Sequence, residues 1–171
     1  METLPYTILF LDGNHENFPA IYSYPVEDWQ GGKVHRIRKN VLHLMRGEIF
    51  EIEGKTFFAM GGAYSIDKYM RTEGISWWKE ETPTDPEFKN ASKHLEEHNF
   101  KVDYILTHTL PYEILRRWGI NPDAHDRELL GYLDWVMYET DFKHWYCGHW
   151  HDDADIFDKF TVLWYDVRRV E

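Results

Sequence analysis

The fold class is decided by the stretch Tyr6-Thr7-Ile8-Leu9-Phe10-Leu11-Asp12-Gly13-Asn14-His15-Glu16, in which an apolar run leads directly into a polar turn. A short, continuous apolar run predicts a strand that is buried on both faces, as at the centre of an α/β sheet. The same design recurs at Thr107-His108 and at Gly148-His149-Trp150-His151, each after a predicted strand. Because ligands gather at the carboxyl ends of strands in open α/β sheets, we expect these three turns to converge on one site.

The rest of the chain shows a hairpin-rich first half, followed by alternating helix and strand signals. A turn at Glu53-Gly54-Lys55 predicts a hairpin, and the pair Trp77-Trp78 argues against disorder in the long segment 63–86. Residues 17–32 are expected to form a loop with at most a short helix. The predicted elements are strands over residues 41–52, 56–60, 102–106, 144–147 and 160–165, and helices over residues 85–98, 112–118 and 126–139.

Composition limits the classes of function. The chain has 171 residues and a formal net charge of −11, which fits one domain over residues 1–171 and argues against nucleic-acid binding by charge. Its 17% aromatic content is too high for a disordered chain. The single cysteine, Cys147, excludes an internal disulfide and indicates a reducing compartment. With no basic leader in residues 1–5 and no apolar run of about 20 residues, we expect a cytoplasmic protein without a membrane partner.

The three turns carry side chains that are typical of a metal site. Imidazole nitrogens are ligands for zinc, iron, nickel, copper and manganese, and Asn14 adds a neutral amide oxygen. In an extended segment, residues His149 and His151 point the same way, so both are expected to face one site. Glu16 is expected to orient a nearby imidazole. Each feature alone is more often a surface pair, a buried polar histidine or an ordinary turn, but the joint pattern favours a metal site.

The same residues resemble a known family. The segments 13–16, 107–108 and 148–151 are similar to the last three of the five signature blocks of the calcineurin-like metallophosphoesterases, in the same order and with similar spacing. The text between them resembles a subgroup of small bacterial and phage phosphoesterases. The segments that carry this second resemblance are Leu44-Met45-Arg46-Gly47, Phe57-Phe58-Ala59-Met60-Gly61-Gly62-Ala63, Ile66-Asp67-Lys68 and Ser76-Trp77-Trp78-Lys79-Glu80-Glu81.

The resemblance implies a fold, an activity and a set of site residues. The fold is an α/β sandwich of two sheets flanked by helices, and the activity is hydrolysis of a phosphoester substrate by two divalent transition metals. The metals expected are Mn, Fe, Zn or Ni. His15 is implied to contact the phosphate and to protonate the leaving group, and Glu16 lies beside it in the catalytic set. The implied metal ligands are Asn14, His108 and His149 for one ion and His151 for the other.

The chain departs from the family pattern at its start. The first two signature blocks, an Asp-x-His and a Gly-Asp-x-x-Asp, precede Gly13 in the family, but only 12 residues precede it here. We therefore expect the C-terminal portion of such a domain, without about 60 residues of N-terminal strand–helix units. Exposed sheet edges then favour self-association. The alternative to a phosphoesterase is an inactive remnant that binds at most one metal or acts as an interaction module.

Other residues have two interpretations at the level of sequence. Lys68 and Arg71 either bind a substrate phosphate weakly or are solvated loop charges. The pair Trp77-Trp78 either stacks on a ring or packs the loop against the core. Cys147 is expected to be a buried, inert thiol. Four acids near the motifs are expected to lie on a solvated surface rather than to replace the missing metal ligands: Asp12, Asp152, Asp153 and Asp155.

Overall fold

The computed structural model describes residues 5–170 and shows an α/β fold with two mixed sheets and four α-helices. The elements are β1 (Ile8–Phe10), α1 (Phe18–Tyr22), β2 (Val26–Trp29), β3 (Gly32–Arg38), β4 (Val41–Leu44), β5 (Glu48–Ile52), β6 (Lys55–Met60), α2 (Asp85–Glu97), β7 (Tyr104–Thr107), α3 (Tyr112–Trp118), α4 (Arg127–Glu139), β8 (His144–Cys147), β9 (Ala154–Ile156) and β10 (Phe160–Val162). This confirms the α/β class and the arrangement in two sheets.

The larger sheet, which we call sheet B, has the order β5-β6-β7-β8-β10-β9. Its four central strands, β6, β7, β8 and β10, run parallel, and the outer strands β5 and β9 are antiparallel to their neighbours. Parallel strands end at the same edge of a sheet. The segments that follow β6, β7 and β8 therefore lie side by side, and two of the three predicted turns are among them.

The smaller sheet, sheet A, has the order β1-β4-β3-β2, with β1 parallel to β4 and the other pairs antiparallel. Strand β1 is half-buried and lies at the edge of this sheet, so the expectation of a central strand buried on both faces was wrong. Its apolar residues are explained by packing against the smaller hydrophobic core, where Leu9 contacts the cluster of Val34, Leu42, Leu44, Phe50 and Ala59.

The main hydrophobic core lies between sheet B and the helices. Helix α4 buries one apolar stripe of Leu129, Leu130, Leu133 and Val136, as its 3.6-residue pattern predicts. Helix α2 begins with a capping box in which Thr84 and Glu87 exchange hydrogen bonds, so Thr84 is its N-cap. Full burial of each large apolar side chain in this core stabilises the fold by about 1.5–3 kcal/mol.

The predicted strand over residues 41–52 is two strands that belong to different sheets. Gly47 lies in the break with a positive φ of 76°, and a Cβ at this position would stand 2.7 Å from the Cβ of Ala91 on α2. The chain therefore turns sharply between β4 and β5, where Arg46 is buried. The polar strands β2, β3 and β9 were also missed, because they lack an apolar run.

Most of the other predicted elements agree with the structure. The bounds of α3 and β8 match the prediction, while β7 begins two residues later and β10 ends three residues earlier than expected. Among residues 5–170, no helix has both the length and the apolar composition that crossing a membrane requires. The expectation that the chain starts without a leader falls partly on residues 1–4, which lie outside the described residues.

Candidate metal centre

Three donor atoms from distant parts of the chain meet at one point. His108 Nε2 lies 3.0 Å from Asn14 Oδ1 and 3.2 Å from His149 Nδ1. Asn14 is 6% exposed and follows a strand of sheet A, while His108 and His149 follow strands of sheet B. The predicted convergence of these three side chains is what the structure shows. We call Asn14, His108 and His149 the donor cluster.

Close backbone approaches bring the two sheets together at the donor cluster. The backbone N–H of Gly62, after β6, donates to the carbonyl of Asp12, after β1, at 3.0 Å. Gly148 N–H donates to the carbonyl of His108 at 3.1 Å. Gly13 lies against the imidazole of His108, and a Cβ at Gly13 would stand 2.7 Å from that ring. Only glycine leaves room for His108 at this position.

His149 and His151 reach the site by a route that differs from the prediction. The segment is not extended, because both residues have positive φ values, 67° and 50°. Backbone strain of this kind in non-glycine residues clusters at functional sites. His151 is exposed and stacks on Trp164, with ring centroids 5.1 Å apart. It lines the same cavity as the donor cluster, but the extended-strand argument for its position was wrong.

Burial keeps the two imidazoles of the donor cluster neutral. Burial lowers the pKa of His108 to about 4, with smaller effects from neighbouring charges. Burial also lowers the pKa of His149 to about 3, and His108 and His151 add to this shift. Both rings are therefore unprotonated at pH 7, which is the form that binds metals. His108 Nε2 carries at most one hydrogen, although both Asn14 Oδ1 and His149 Nδ1 face it.

Two of the three separations between the donor atoms, both measured from His108 Nε2, are compatible with one divalent ion. Ligand atoms that lie about 2.0–2.2 Å from a tetrahedral or octahedral metal are about 2.8–3.6 Å from one another. The two measured separations, 3.0 Å and 3.2 Å, fall in this range. Within residues 5–170, no group of three or more His, Cys, Asp or Glu side chains is arranged to hold a metal. The donor cluster is of a different composition, since it combines two imidazoles with the amide oxygen of Asn14.

The donor cluster lies in a cavity of about 620 Å³. This volume exceeds what a phosphate group needs and falls in the range of small-molecule sites. Its lining mixes polar and aromatic side chains, and among the described residues it includes no lysine or arginine. The lining residues are Gly13, Asn14, His15, Glu16, Tyr64, Ile66, Asp67, His108, Asn121, Pro122, Asp123, Asp126, His149, Trp150, His151 and Trp164.

His15 and Glu16 both line the cavity, but their contacts differ from each other. His15 is exposed, and its Nε2 lies 3.5 Å from Asn14 Nδ2, so its ring is accessible beside the donor cluster. Glu16 accepts a hydrogen bond from the backbone N–H of Gly13 at 3.5 Å. The expectation that Glu16 orients an imidazole was wrong, since its hydrogen bond within residues 5–170 closes its own turn.

Lys68 and Arg71 do not line the cavity. Lys68 Nζ lies 2.6 Å from Glu81 Oε1 and stands over the rings of Tyr64 and Trp77. Arg71 binds both carboxylate oxygens of Asp67, at 2.6–2.7 Å. Both cations are paired with carboxylates, and their role as weak phosphate ligands stays a prediction. Trp77 lies over Lys68 of its own loop, a contact that tests neither the ring-stacking nor the core-packing interpretation of the tryptophan pair.

The four nearby acids divide into two groups. Asp152, Asp153 and Asp155 are exposed, as expected, and Asp153 accepts backbone hydrogen bonds from residues 164–166. Asp12 is only 1% exposed, so its assignment to a solvated surface was wrong. Its carboxylate binds Arg46 and His43, two residues that the sequence analysis did not assign to any site.

Ser65 and Glu81 are further residues that sequence reasoning missed. Asn14 Nδ2 donates to Ser65 Oγ at 3.1 Å, and Ser65 N–H donates to Glu81 Oε1 at 3.0 Å. Neither contact has a local signal in the sequence, because 51 and 16 residues separate the partners. Ser65 follows β6 and is buried, which places it at the same edge of sheet B as His108.

Cys147 precedes the turn that carries His149 and is 5% exposed. Burial raises the pKa of its thiol, so the expectation of an inert thiol agrees with the structure.

Comparisons of the chain with protein-family models, with curated proteins and with solved structures find no match. A functional assignment therefore rests on the residues and on the geometry of the site.

Proposed function

We propose that this chain is a metal-dependent phosphoester hydrolase of the calcineurin-like metallophosphoesterase type, with its site at the donor cluster. The observation that carries this proposal is the convergence of three neutral donors in a cavity of about 620 Å³. Asn14, His108 and His149 are spaced for one divalent transition metal such as manganese, iron, zinc or nickel. The phosphoester substrate lies in the same cavity.

The residues of the site have different roles in metal binding, substrate binding and proton transfer. When bound, the divalent ion supplies Lewis acidity toward phosphoryl oxygens and a water-derived nucleophile at neutral pH. The donor cluster holds the ion and excludes water from its buried side. His15, exposed beside Asn14, contacts the phosphate and gives a proton to the leaving oxygen. His151 faces the cavity as a second polar contact.

The charge of the donors favours one ion per chain. Two divalent ions about 3.5 Å apart repel each other by roughly 19 kcal/mol at an effective dielectric constant of 20. The donor cluster and His151 contribute no anionic group, so they do not offset this repulsion. We therefore expect one metal per chain and slow hydrolysis, because a two-metal mechanism needs anionic ligands beside these residues.

Metal binding and hydrolysis test the proposal together. Manganese binding is measured by isothermal titration calorimetry, and turnover is measured with bis(p-nitrophenyl) phosphate. We expect one ion per chain, metal-dependent turnover, and loss of both in His108→Ala. The exposed His98, at the end of α2, provides the matched control His98→Ala. Absence of manganese binding by the native chain, or hydrolysis that persists in His108→Ala, refutes the proposal.

An interaction module is the second candidate function. The outer edge of β1 has no partner strand among residues 5–170, and an apolar groove of about 430 Å³ lies beside it, lined by residues such as Leu9, Leu106 and Leu163. A second copy of the chain is the proposed occupant. Light scattering after size exclusion tests this: Leu9→Glu should abolish a dimer, while Val26→Glu on the opposite edge strand β2 should not. A monomeric native chain refutes it.

A further inference from the structure

The amide of Asn14 has a defined orientation. Its Nδ2 donates to Ser65 Oγ at 3.1 Å, while Ser65 Oγ donates its single hydrogen to the carbonyl of Asn14 at 3.2 Å. The amide oxygen therefore points at His108 Nε2, 3.0 Å away. A flipped amide would place its oxygen against Ser65 Oγ, whose hydrogen is already used, and would turn an N–H group toward the donor cluster. Ser65 thus decides which atom of the Asn14 amide faces His108.

Ser65 is itself held by a buried carboxylate. Glu81 is fully buried, and its Oε1 accepts from Ser65 N–H at 3.0 Å. The backbone carbonyl of Glu81 also accepts from Ala63 N–H, at 3.1 Å. Glu81 therefore fixes the segment after β6 through both its side chain and its main chain. Since Ser65 follows a strand of sheet B and Asn14 follows a strand of sheet A, this segment sets the position of one sheet against the other.

Lys68 provides the charge that makes the burial of Glu81 tolerable. Its Nζ lies 2.6 Å from Glu81 Oε1, and the rings of Tyr64 and Trp77 lie 4.0 Å and 4.4 Å from it. A buried carboxylate is costly without a paired cation. The other oxygen of Glu81, Oε2, has no hydrogen-bond partner among the described residues. The ion pair between Lys68 and Oε1 is therefore the main interaction that offsets the cost of burying this carboxylate. Two aromatic faces keep the ammonium group in place.

We infer that Ser65, Glu81 and Lys68 are positioning residues that present the amide oxygen of Asn14 to the divalent ion. This inference rests on the proposed function, and it gives Lys68 a task other than binding the substrate phosphate. Groups that orient metal ligands typically change metal affinity by about ten- to hundredfold when they are replaced. A continuous series of contacts joins Lys68 to Glu81, Glu81 to Ser65 and Ser65 to Asn14, and each contact is 3.1 Å or less.

The test measures metal affinity and the environment of the metal, neither of which depends on turnover. Manganese affinity is measured by calorimetry, and the visible absorption of the cobalt-loaded chain reports its ligands. We expect Ser65→Ala to weaken manganese binding by about ten- to hundredfold and to change the cobalt spectrum, and Ser65→Thr, which keeps the hydroxyl, to recover most of both. Lys68→Met should weaken binding, whereas Lys79→Met, at an exposed lysine of the same loop, should not.

The outcomes separate this inference from the proposed function. A native chain that binds neither metal refutes both. A native chain that binds manganese, together with a Ser65→Ala variant of unchanged affinity and cobalt spectrum, refutes the positioning role alone. The melting temperature of each metal-free variant is recorded as well. If Ser65→Thr loses as much affinity as Ser65→Ala while both remain folded, the hydroxyl is not the group that acts, and the inference is likewise overturned.

Discussion

Two buried polar clusters lie within a few residues of each other, and they differ in how completely their groups are satisfied. In the charged cluster, made of Asp12, His35, His43 and Arg46, Asp12 binds His43 Nε2 at 3.0 Å and Arg46 at 2.5–2.8 Å, and His43 pairs with His35 at 3.0 Å. In the donor cluster, all groups are neutral. Asn14 Oδ1, His108 Nε2 and His149 Nδ1 face one another, but at most one hydrogen is available on His108 Nε2 to bond them. The first cluster therefore serves the fold, and the second suits a cation.

The pKa values follow the same division. Burial by itself raises the pKa of Asp12, but the hydrogen bond from His43 and the charge of Arg46 outweigh it, and the pKa is lowered. In the donor cluster, burial acts on imidazoles that have no carboxylate within hydrogen-bonding distance among residues 5–170, and their pKa values fall. The charged cluster thus keeps its ionised groups, while the donor cluster keeps neutral imidazoles whose nitrogen lone pairs can bind a cation.

The largest effect is expected from breaking the charged cluster. Arg46→Met leaves the carboxylate of Asp12 buried without a cation, and we expect the free energy of unfolding to fall by about 3–5 kcal/mol in urea denaturation. The double variant Asp12→Asn/Arg46→Met should lose less, since it buries no charge. His108→Ala, in the donor cluster, should cost less stability than Arg46→Met although it removes metal binding. A loss below about 1 kcal/mol in Arg46→Met contradicts the structural role of this cluster.

Asp126 extends the comparison to a buried carboxylate that forms no salt bridge within residues 5–170. Burial raises its pKa to about 6, and it accepts a hydrogen bond from Tyr64 N–H. The folded state keeps this proton between about pH 4 and pH 6, so stability is lost as the pH rises through that window. Asp126→Asn keeps the acceptor and should raise the free energy of unfolding by about 1–3 kcal/mol at pH 8, but not at pH 4.

Urea denaturation of the native chain and of Asp126→Asn at several pH values tests whether the stabilisation grows as the pH rises. The exposed Asp28, on β2, provides the control Asp28→Asn, which should have little effect at any pH. If Asp126→Asn stabilises the fold equally at pH 4 and pH 8, the gain does not come from removing an ionisable carboxyl group, and the prediction is wrong.

A smaller effect concerns the charge of the substrate. Arg46, Lys68 and Arg71 are all paired with carboxylates, and no lysine or arginine lines the cavity among the described residues. A phosphodiester with one negative charge should therefore react faster than a phosphomonoester with two. With manganese at pH 8, we expect kcat/KM for bis(p-nitrophenyl) phosphate to exceed that for p-nitrophenyl phosphate by about tenfold, equivalent to about 1.4 kcal/mol.

An added cation sharpens this prediction. Ile66 lines the cavity and is exposed, so Ile66→Lys should narrow the preference for the diester by favouring the monoester. Ile75, which is equally exposed but does not line the cavity, gives the matched control Ile75→Lys. If both lysine variants shift the ratio equally, the effect comes from net charge and not from the lining of the site.

The sequence predicts the donor cluster better than the residues that support it. Asn14, His108 and His149 each follow a strand. The rule that neighbouring strand ends converge accounts for His108 and His149, which both follow strands of sheet B, whereas Asn14 follows a strand of sheet A and is brought close by contacts between the two sheets. Lys68 illustrates the limit, because its partner Glu81 lies 13 positions along a loop with no periodic pattern. Arg46 and Gly47 show the same limit for the fold: the break between β4 and β5 depends on contacts with Asp12 and Ala91, which only the tertiary structure supplies.

The smallest effect is expected at Cys147, which immediately precedes the turn that carries His149. Cys147 lies one residue from Gly148, yet its side chain belongs to the main hydrophobic core and is 5% exposed. Burial raises the pKa of its thiol, so the thiolate that would bind a metal is not formed at neutral pH. Cys147→Ala should change manganese affinity by less than about twofold, an amount below 1 kcal/mol. A large loss of affinity, with the variant still folded, would place the thiol among the metal ligands and redraw the boundary between site and core.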